Sequence, residues 1–205
     1  MGARERQIET VPGPTTHTPR ILGLGGTLRP DSSSERALRV SLDAAADAGA
    51  ETVLIDARGL DFPMYDPRRE PQPPASEAFL REVARADGFL ISTPGYHGGY
   101  SGLLKNALDY VEELRTNDPP YFHDRAVGCI VCAHGWQATT TTLVALRQVA
   151  HALRGWPTPL GVAINSMTEI RPDGSMADGV EERLRILGEQ VTEFARWQQS
   201  ARVGA

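Results

Sequence analysis

Short apolar runs alternate with amphipathic stretches along most of this chain. Ile21-Leu-Gly-Leu-Gly25 is a compact apolar run closed by glycine, and it predicts a buried strand. Residues 34–49 then place Ala37, Leu38, Leu42, Ala45 and Ala46 on one stripe at helical spacing, with Ser34 as N-cap and Gly49 as stop. The alternation continues with strands expected over 52–55, 88–92, 126–133 and, more weakly, 158–164. Helices are expected over 76–86, 102–115, 139–153 and 180–199. Between residues 60 and 74 stand Pro63, Pro67, Pro71, Pro73 and Pro74. No regular element tolerates that density of proline, so a long surface loop is expected there.

None of the five strands alternates cleanly between polar and apolar positions. Strands buried on both faces belong to parallel sheets. Right-handed crossovers then give an α/β fold of three layers, doubly wound. A Rossmann fold would carry G-x-G-x-x-G after its first strand, whereas Gly23-Leu-Gly25-Gly-Thr-Leu28 lacks the third glycine. The expectation is therefore a flavodoxin-like, five-stranded parallel sheet in the order 2-1-3-4-5. Its ligand sits at the carboxyl ends of the strands, beside the switch point between the first and third.

Composition narrows the function classes. The chain has 205 residues and a net charge of -5, which argues against nucleic acid, since phosphate contacts need a basic face. No apolar stretch reaches the roughly 18 residues of a membrane span. Residues 1–19 are polar and proline-rich and lack the apolar core of a signal peptide. They read as an N-terminal tail before a single domain over residues 20–200, in the cytoplasm. Cys129 and Cys132 form a C-x-x-C, but inside an apolar run that reads as a strand, where residues three apart face opposite sides. A redox dithiol is not expected. His17, His97, His123, His134 and His151 show no metal spacing.

Two loops carry the chemistry. The first strand ends in Gly25-Gly-Thr-Leu-Arg-Pro-Asp-Ser-Ser-Ser34. A phosphate here would meet backbone N–H groups at a helix N-terminus. Thr27, Ser32 and Ser34 add hydroxyls, and Arg29 adds a forked cation. The same residues could also be an ordinary serine-rich cap. After the third strand comes Thr93-Pro-Gly-Tyr-His-Gly-Gly-Tyr-Ser-Gly102. Its glycines let backbone approach a flat ring, so Pro94, Gly95, Tyr96, His97, Gly98 and Gly99 are candidate ring contacts. The alternative is a plain linker, but such connections usually have only ~2–6 residues.

These loops, with Leu103-Leu-Lys-Asn-Ala-Leu-Asp-Tyr110, resemble the NADPH-dependent FMN reductase family, whose members show GSLR-x-x-S-x-N and TP-E-Y-N-G-S-x-x-G-x-LKNAxD. The likeness spans residues 20–163. Here Gly95 replaces an acidic residue, His97 replaces Asn, and Ser34 stands where Asn is common. The resemblance implies FMN and NAD(P)H as cofactors and a homodimer or homotetramer. The His-Gly pair is similar to the branch that supplies reduced flavin to partner monooxygenases. It also implies that the loop after the fourth strand borders the flavin, which makes His134, Gly135 and Trp136 candidate contacts. No side chain need act as acid or base, because hydride transfer is the cofactors' own chemistry. Rival readings are an FMN-containing quinone, azo, nitro or metal-oxyanion reductase, a flavodoxin-type electron carrier, and a flavin-free binding module.

Overall fold

The computed structural model describes residues 18–203. The tail expected over 1–19 lies, as far as residue 17, outside the described residues. Strand β1 (Arg20–Gly25) runs through the middle of a parallel sheet, between β2 (Glu51–Ile55) and β3 (Gly88–Tyr96). Strand β5 (Ala126–Ala133) pairs along the other side of β3. Neighbouring residues on these strands enter different cores. Leu22, Phe89, Val127 and Cys129 pack with helices α2 (Pro74–Arg85), α3 (Gly102–Tyr110) and α4 (Trp136–Ala152). Ile21, Leu90, Ala126 and Ile130 pack with α1 (Ser33–Asp47) and α5 (Asp178–Val203). Burial on both faces is what the uninterrupted apolar runs foretold.

The strand count differs from expectation. Among the described residues the sheet has seven strands rather than five, and the simple order 2-1-3-4-5 gives way to β2-β1-β3-β5 with two short strands on the far side of β5. These are β6 (Trp156–Pro157), beside the start of β5, and β7 (Val162–Asn165), beside its end. Pro157 and Pro159 have no N–H to give to a ladder, so of the strand expected over 158–164 only the part from Val162 pairs, as β7, and β6 ends before it begins. The remaining strand, β4 (Gly99–Tyr100), folds back antiparallel on the end of β3.

Helix starts also moved. Ser32, not Ser34, caps α1: its Oγ accepts the Glu35 N–H at 3.1 Å. Helix α4 begins at Trp136, three residues early, because Gly135 takes φ +123° and ends the loop abruptly. The helix expected over 102–115 is α-helical only to Tyr110 and finishes as a 3-10 turn, Val111–Leu114.

The proline-rich loop is tied down along its first part. Asn106, almost wholly buried, donates from Nδ2 to the Phe62 and Pro63 carbonyls at 3.1 and 3.0 Å, and its Oδ1 accepts the Tyr65 N–H at 2.9 Å. Tyr110 Oη also donates to the Pro63 carbonyl, and Tyr65 Oη donates to Glu113. Burial, together with that carboxylate acceptor, pushes the Tyr65 phenol up. The Phe62 and Tyr65 rings pack on Tyr110 with centroids 5.2 and 5.0 Å away. As a result Leu104, Leu108, Tyr110, Val111 and Leu114 are all buried within one chain. The apolar face of this helix is already covered within the chain.

Cys129 and Cys132 stand in β5 with no disulfide and join opposite cores. Burial pushes both thiols up to about 12, far from the thiolate that redox chemistry uses. Among the described residues, no helix is long and apolar enough to cross a membrane.

Candidate functional site

At the carboxyl ends of β1, β3, β5 and β7 lies a cleft of about 450 Å³, within the range of cofactor sites. The fold puts it there because β1 and β3 send their chains to opposite faces of the sheet, leaving a crevice between their loops. Nine sequence-predicted residues line it: Thr27, Arg29, Ser32, Ser34, Pro94, Gly95, Tyr96, His97 and His134.

One end of the cleft is polar. Arg29 is exposed, and Thr27 Oγ1 accepts the Arg29 N–H at 3.3 Å, leaving its own hydroxyl hydrogen to donate. The N–H groups of Ser33 and Ser34, in the first turn of α1, have no acceptor within the helix. This donor set, together with the positive end of α1, suits a phosphate dianion. The hydroxyls share the work differently from expectation. Ser32 Oγ is engaged as the cap, and Ser34 Oγ lies 3.2 Å from it, both nearly buried. The Ser34 carbonyl accepts Ser92 Oγ at 2.7 Å, which fastens the loop to β3. Ser33, not singled out from sequence, also borders the cleft.

The other end is built from backbone. β3 continues to Tyr96 and turns through His97 and Gly98, so that Tyr96 pairs with Gly99 and Gly95 with Tyr100. Both turn residues have positive φ, +52° and +83°, the requirement of a type I′ hairpin. This explains why the family pattern has Asn-Gly where this chain has His-Gly, since Asn tolerates left-handed backbone best after Gly. His97→Asn should therefore raise stability by about 0.5 kcal/mol and His97→Val lower it by about 1–2 kcal/mol. Urea midpoints would check this, and equal stability of all three proteins would discount the turn.

Four expected residues are not brought to the cleft wall. Gly98 and Gly99 belong to the turn and to β4. Trp136 opens α4 with half its surface exposed and is not among the residues lining the cleft. Gly135 is the N-cap of α4 and has no side chain to bond the first N–H groups. Those groups, at Trp136, Gln137 and Ala138, make a second uncapped helix start beside the cleft, and Ala138 lines it. Sequence reasoning missed Ser33, Cys132, Ala133, Ala138 and Ser166. The rule that ligands lie beyond strand carboxyl ends would have found Ser166, which follows β7 and donates to the Ala133 carbonyl at 3.1 Å. Among the described residues, no group of His, Cys, Asp and Glu could hold a metal ion.

Known proteins resemble this chain in sequence and in fold. The profile of the NADPH-dependent FMN reductase family matches residues 19–169. A probable NADPH:quinone oxidoreductase of Oryza sativa subsp. japonica is 32% identical over 133 residues, 63% of each chain. An NAD(P)H-dependent FMN reductase of Pseudomonas aeruginosa is 33% identical over 102 residues, half of this chain and 54% of that one. The chain thus spans less than two thirds of the length of these relatives. Among solved structures, FerB, a flavoenzyme NAD(P)H:(acceptor) oxidoreductase from Paracoccus denitrificans, superposes with a TM-score of 0.69 at 20% identity, over 89% of this chain and 98% of that one. A flavodoxin, WrbA-like protein from Agrobacterium tumefaciens gives 0.61 at 19% identity, over 88% and 99%. These two likenesses establish the flavodoxin-like fold.

Proposed function

Because the chain belongs to the NADPH-dependent FMN reductase family, we propose that residues 20–200 form an NAD(P)H-dependent FMN reductase domain. The observation that supports this reading is one cleft that joins the hydroxyl- and arginine-bearing loop after β1 to the Pro94–His97 stretch at the end of β3. Thr27, Arg29, Ser33 and the first N–H groups of α1 hold the FMN phosphate. Pro94, Gly95, Tyr96 and His97 bound its ring on one side, and His134 with the start of α4 on the other. When bound, FMN supplies the acceptor for the hydride of NAD(P)H. The uncapped N-terminus of α4 brings positive partial charge to the ring end, which favours the more negative reduced cofactor. His97 and His134 border the space left for nicotinamide and need carry no proton. The protein's contribution is position and electrostatics.

The hairpin His97-Gly98 offers no bulky clamp, so FMN exchanges and reduced FMN is supplied to a partner monooxygenase in the cytoplasm. A second reading, an FMN-containing quinone reductase, is favoured by exposed apolar side chains on segments that follow β1, β3 and β7 or end them: Leu28, Tyr96 and Met167. Assembly as a homodimer would use the exposed Trp136 and Val144 on α4 rather than the covered α3.

Visible spectra and turnover test both readings. The purified protein should lose FMN on dialysis, with affinity on the order of micromolar, about -8 kcal/mol. Added FMN should then accelerate NAD(P)H oxidation until saturation. Retained flavin, indifference to added FMN and fast quinone turnover would establish the second reading. A folded protein that binds no flavin would defeat both.

A further inference from the structure

Helix α1 carries an arginine that neither the fold nor the cleft has yet accounted for. Arg36 lies one helical turn beyond Ser33, so the two share a face of α1. Side chains on a helix lean toward its N-terminus. Ser33 lines the cleft, and Arg36 therefore leans toward its polar end. The turn that follows β7 closes over the side chain. Gly174, at φ +84°, leaves no room for a Cβ, which would meet the Arg36 guanidinium carbon at 3.2 Å and Nη2 at 3.3 Å. Cys132, a residue of the cleft wall, lies close by. Burial pushes that thiol up and the Arg36 charge pulls against it, so the guanidinium is within electrostatic reach of the cleft.

No group among the described residues answers this cation. Arg36 is only partly exposed, and its Nε is buried without a hydrogen-bond partner. Glu169 also acts on Cys132, but its carboxylate is taken by Arg183 at 2.6 Å and by the Asn165 N–H at 2.9 Å. Glu35 is taken by Arg39 at 2.6 Å. Elsewhere the covered arginines are satisfied: Arg20 by Glu51 and Glu82, Arg125 by the Val83 and Ala86 carbonyls, Arg147 by the Thr158 carbonyl. Burying a charge without a partner costs stability, and an arriving anion offsets that cost.

Charge balance names the anion. A phosphate monoester carries about two negative charges near neutral pH. At the polar end of the cleft, Arg29 and the partial charge at the start of α1 supply about one and a half. A second guanidinium closes the difference. We propose that Arg36 is the inner cation of this site and binds a phosphate monoester together with the outer Arg29. The reductase reading supplies two sources of that group, FMN and the 2′-phosphate of NADPH, and the inference rests on that reading only for the choice between them.

Inorganic phosphate, added to the full chain freed of flavin by dialysis, tests this. In phosphate-free buffer Arg36→Met should melt no lower than the wild type, because it removes an unanswered charge. Calorimetry should show its affinity for phosphate reduced about tenfold or more, the size of a hydrogen bond to a charged group. Arg36→Lys should keep part of that affinity, and Arg39→Gln all of it. FMN against riboflavin, and NADPH against NADH, then identify the source: Arg36→Met should lose affinity for the phosphorylated member of one pair alone. Phosphate binding that depends on Arg36, in a protein that binds no flavin, would uphold the inference and defeat the reductase reading. A wild type indifferent to phosphate, or equal affinities of wild type and Arg36→Met for phosphate, FMN and NADPH, would overturn it. So would a phosphate-free Arg36→Met that melts lower or fails to fold, which would make Arg36 a strut between α1 and the turn at Gly174.

Discussion

Asn106→Ala should destabilise the fold by about 3–4 kcal/mol, the largest effect expected of a single polar substitution here. The side chain fills three backbone hydrogen bonds of the proline-rich loop: two carbonyls, at Phe62 and Pro63, and the Tyr65 N–H. Tyr110 Oη would still serve Pro63. The Phe62 carbonyl and Tyr65 N–H would lose their side-chain partner in a nearly dry setting, and each orphan costs about 1–3 kcal/mol. The loop could then lift from Tyr110, exposing Phe62 and the apolar face of α3. Asn106→Asp keeps the acceptor for Tyr65 but turns the two donors into oxygens facing carbonyls, so it should do no better. Urea titrations at constant m-value would measure both. A loss below about 1 kcal/mol for the alanine variant would mean that water replaces the side chain and the loop is not pinned.

Arg29→Ala should weaken FMN by about 1.5–3 kcal/mol, roughly ten- to hundredfold, while riboflavin loses far less. The guanidinium is exposed, so solvent screening favours the lower half of that range. Its partners at the phosphate, Thr27 and the α1 N–H groups, remain in the variant and keep residual affinity. Isothermal titration with both ligands would decide. Equal losses would place the phosphate away from the polar end of the cleft. Raising salt should shrink the difference between the wild type and the variant, as it does for exposed ionic contacts.

The layers of the fold were legible because β1, β3 and β5 bury both faces, and that demand writes an unbroken apolar run. The edge beyond β5 was not, because Pro157 and Pro159 act through the partners they fail to bond, and those partners lie on another strand. Thr27, Arg29, Pro94 and His97 were legible as cleft residues from their place after strands. The division of labour among Ser32, Ser33 and Ser34 was not, since it turns on where the helix starts by one residue. The position of Trp136 was hidden for the same reason: Gly135 starts α4 so early that Trp136 stands on the helix and not on the cleft wall. The most specific sequence match, Leu104-Lys-Asn-Ala-Leu-Asp109, contributes no residue to the cleft wall. Its Asn106 anchors a loop some 40 residues upstream, a contact that local periodicity could not disclose.

Cys129 and Cys132 divide one strand between two cores, Cys129 packed with α2, α3 and α4 and Cys132 with α1 and α5 at the wall of the cleft. Both thiols are buried, so native protein should react only slowly with a thiol reagent, Cys129 the slower of the two, and fast labelling would require local opening. Because the layers are separate, the order in which the two sulfurs become reactive distinguishes departure of α1 and α5 from departure of α2, α3 and α4. The chain thus holds a pair of internal clocks, one per face, that time the opening of each side of its sheet.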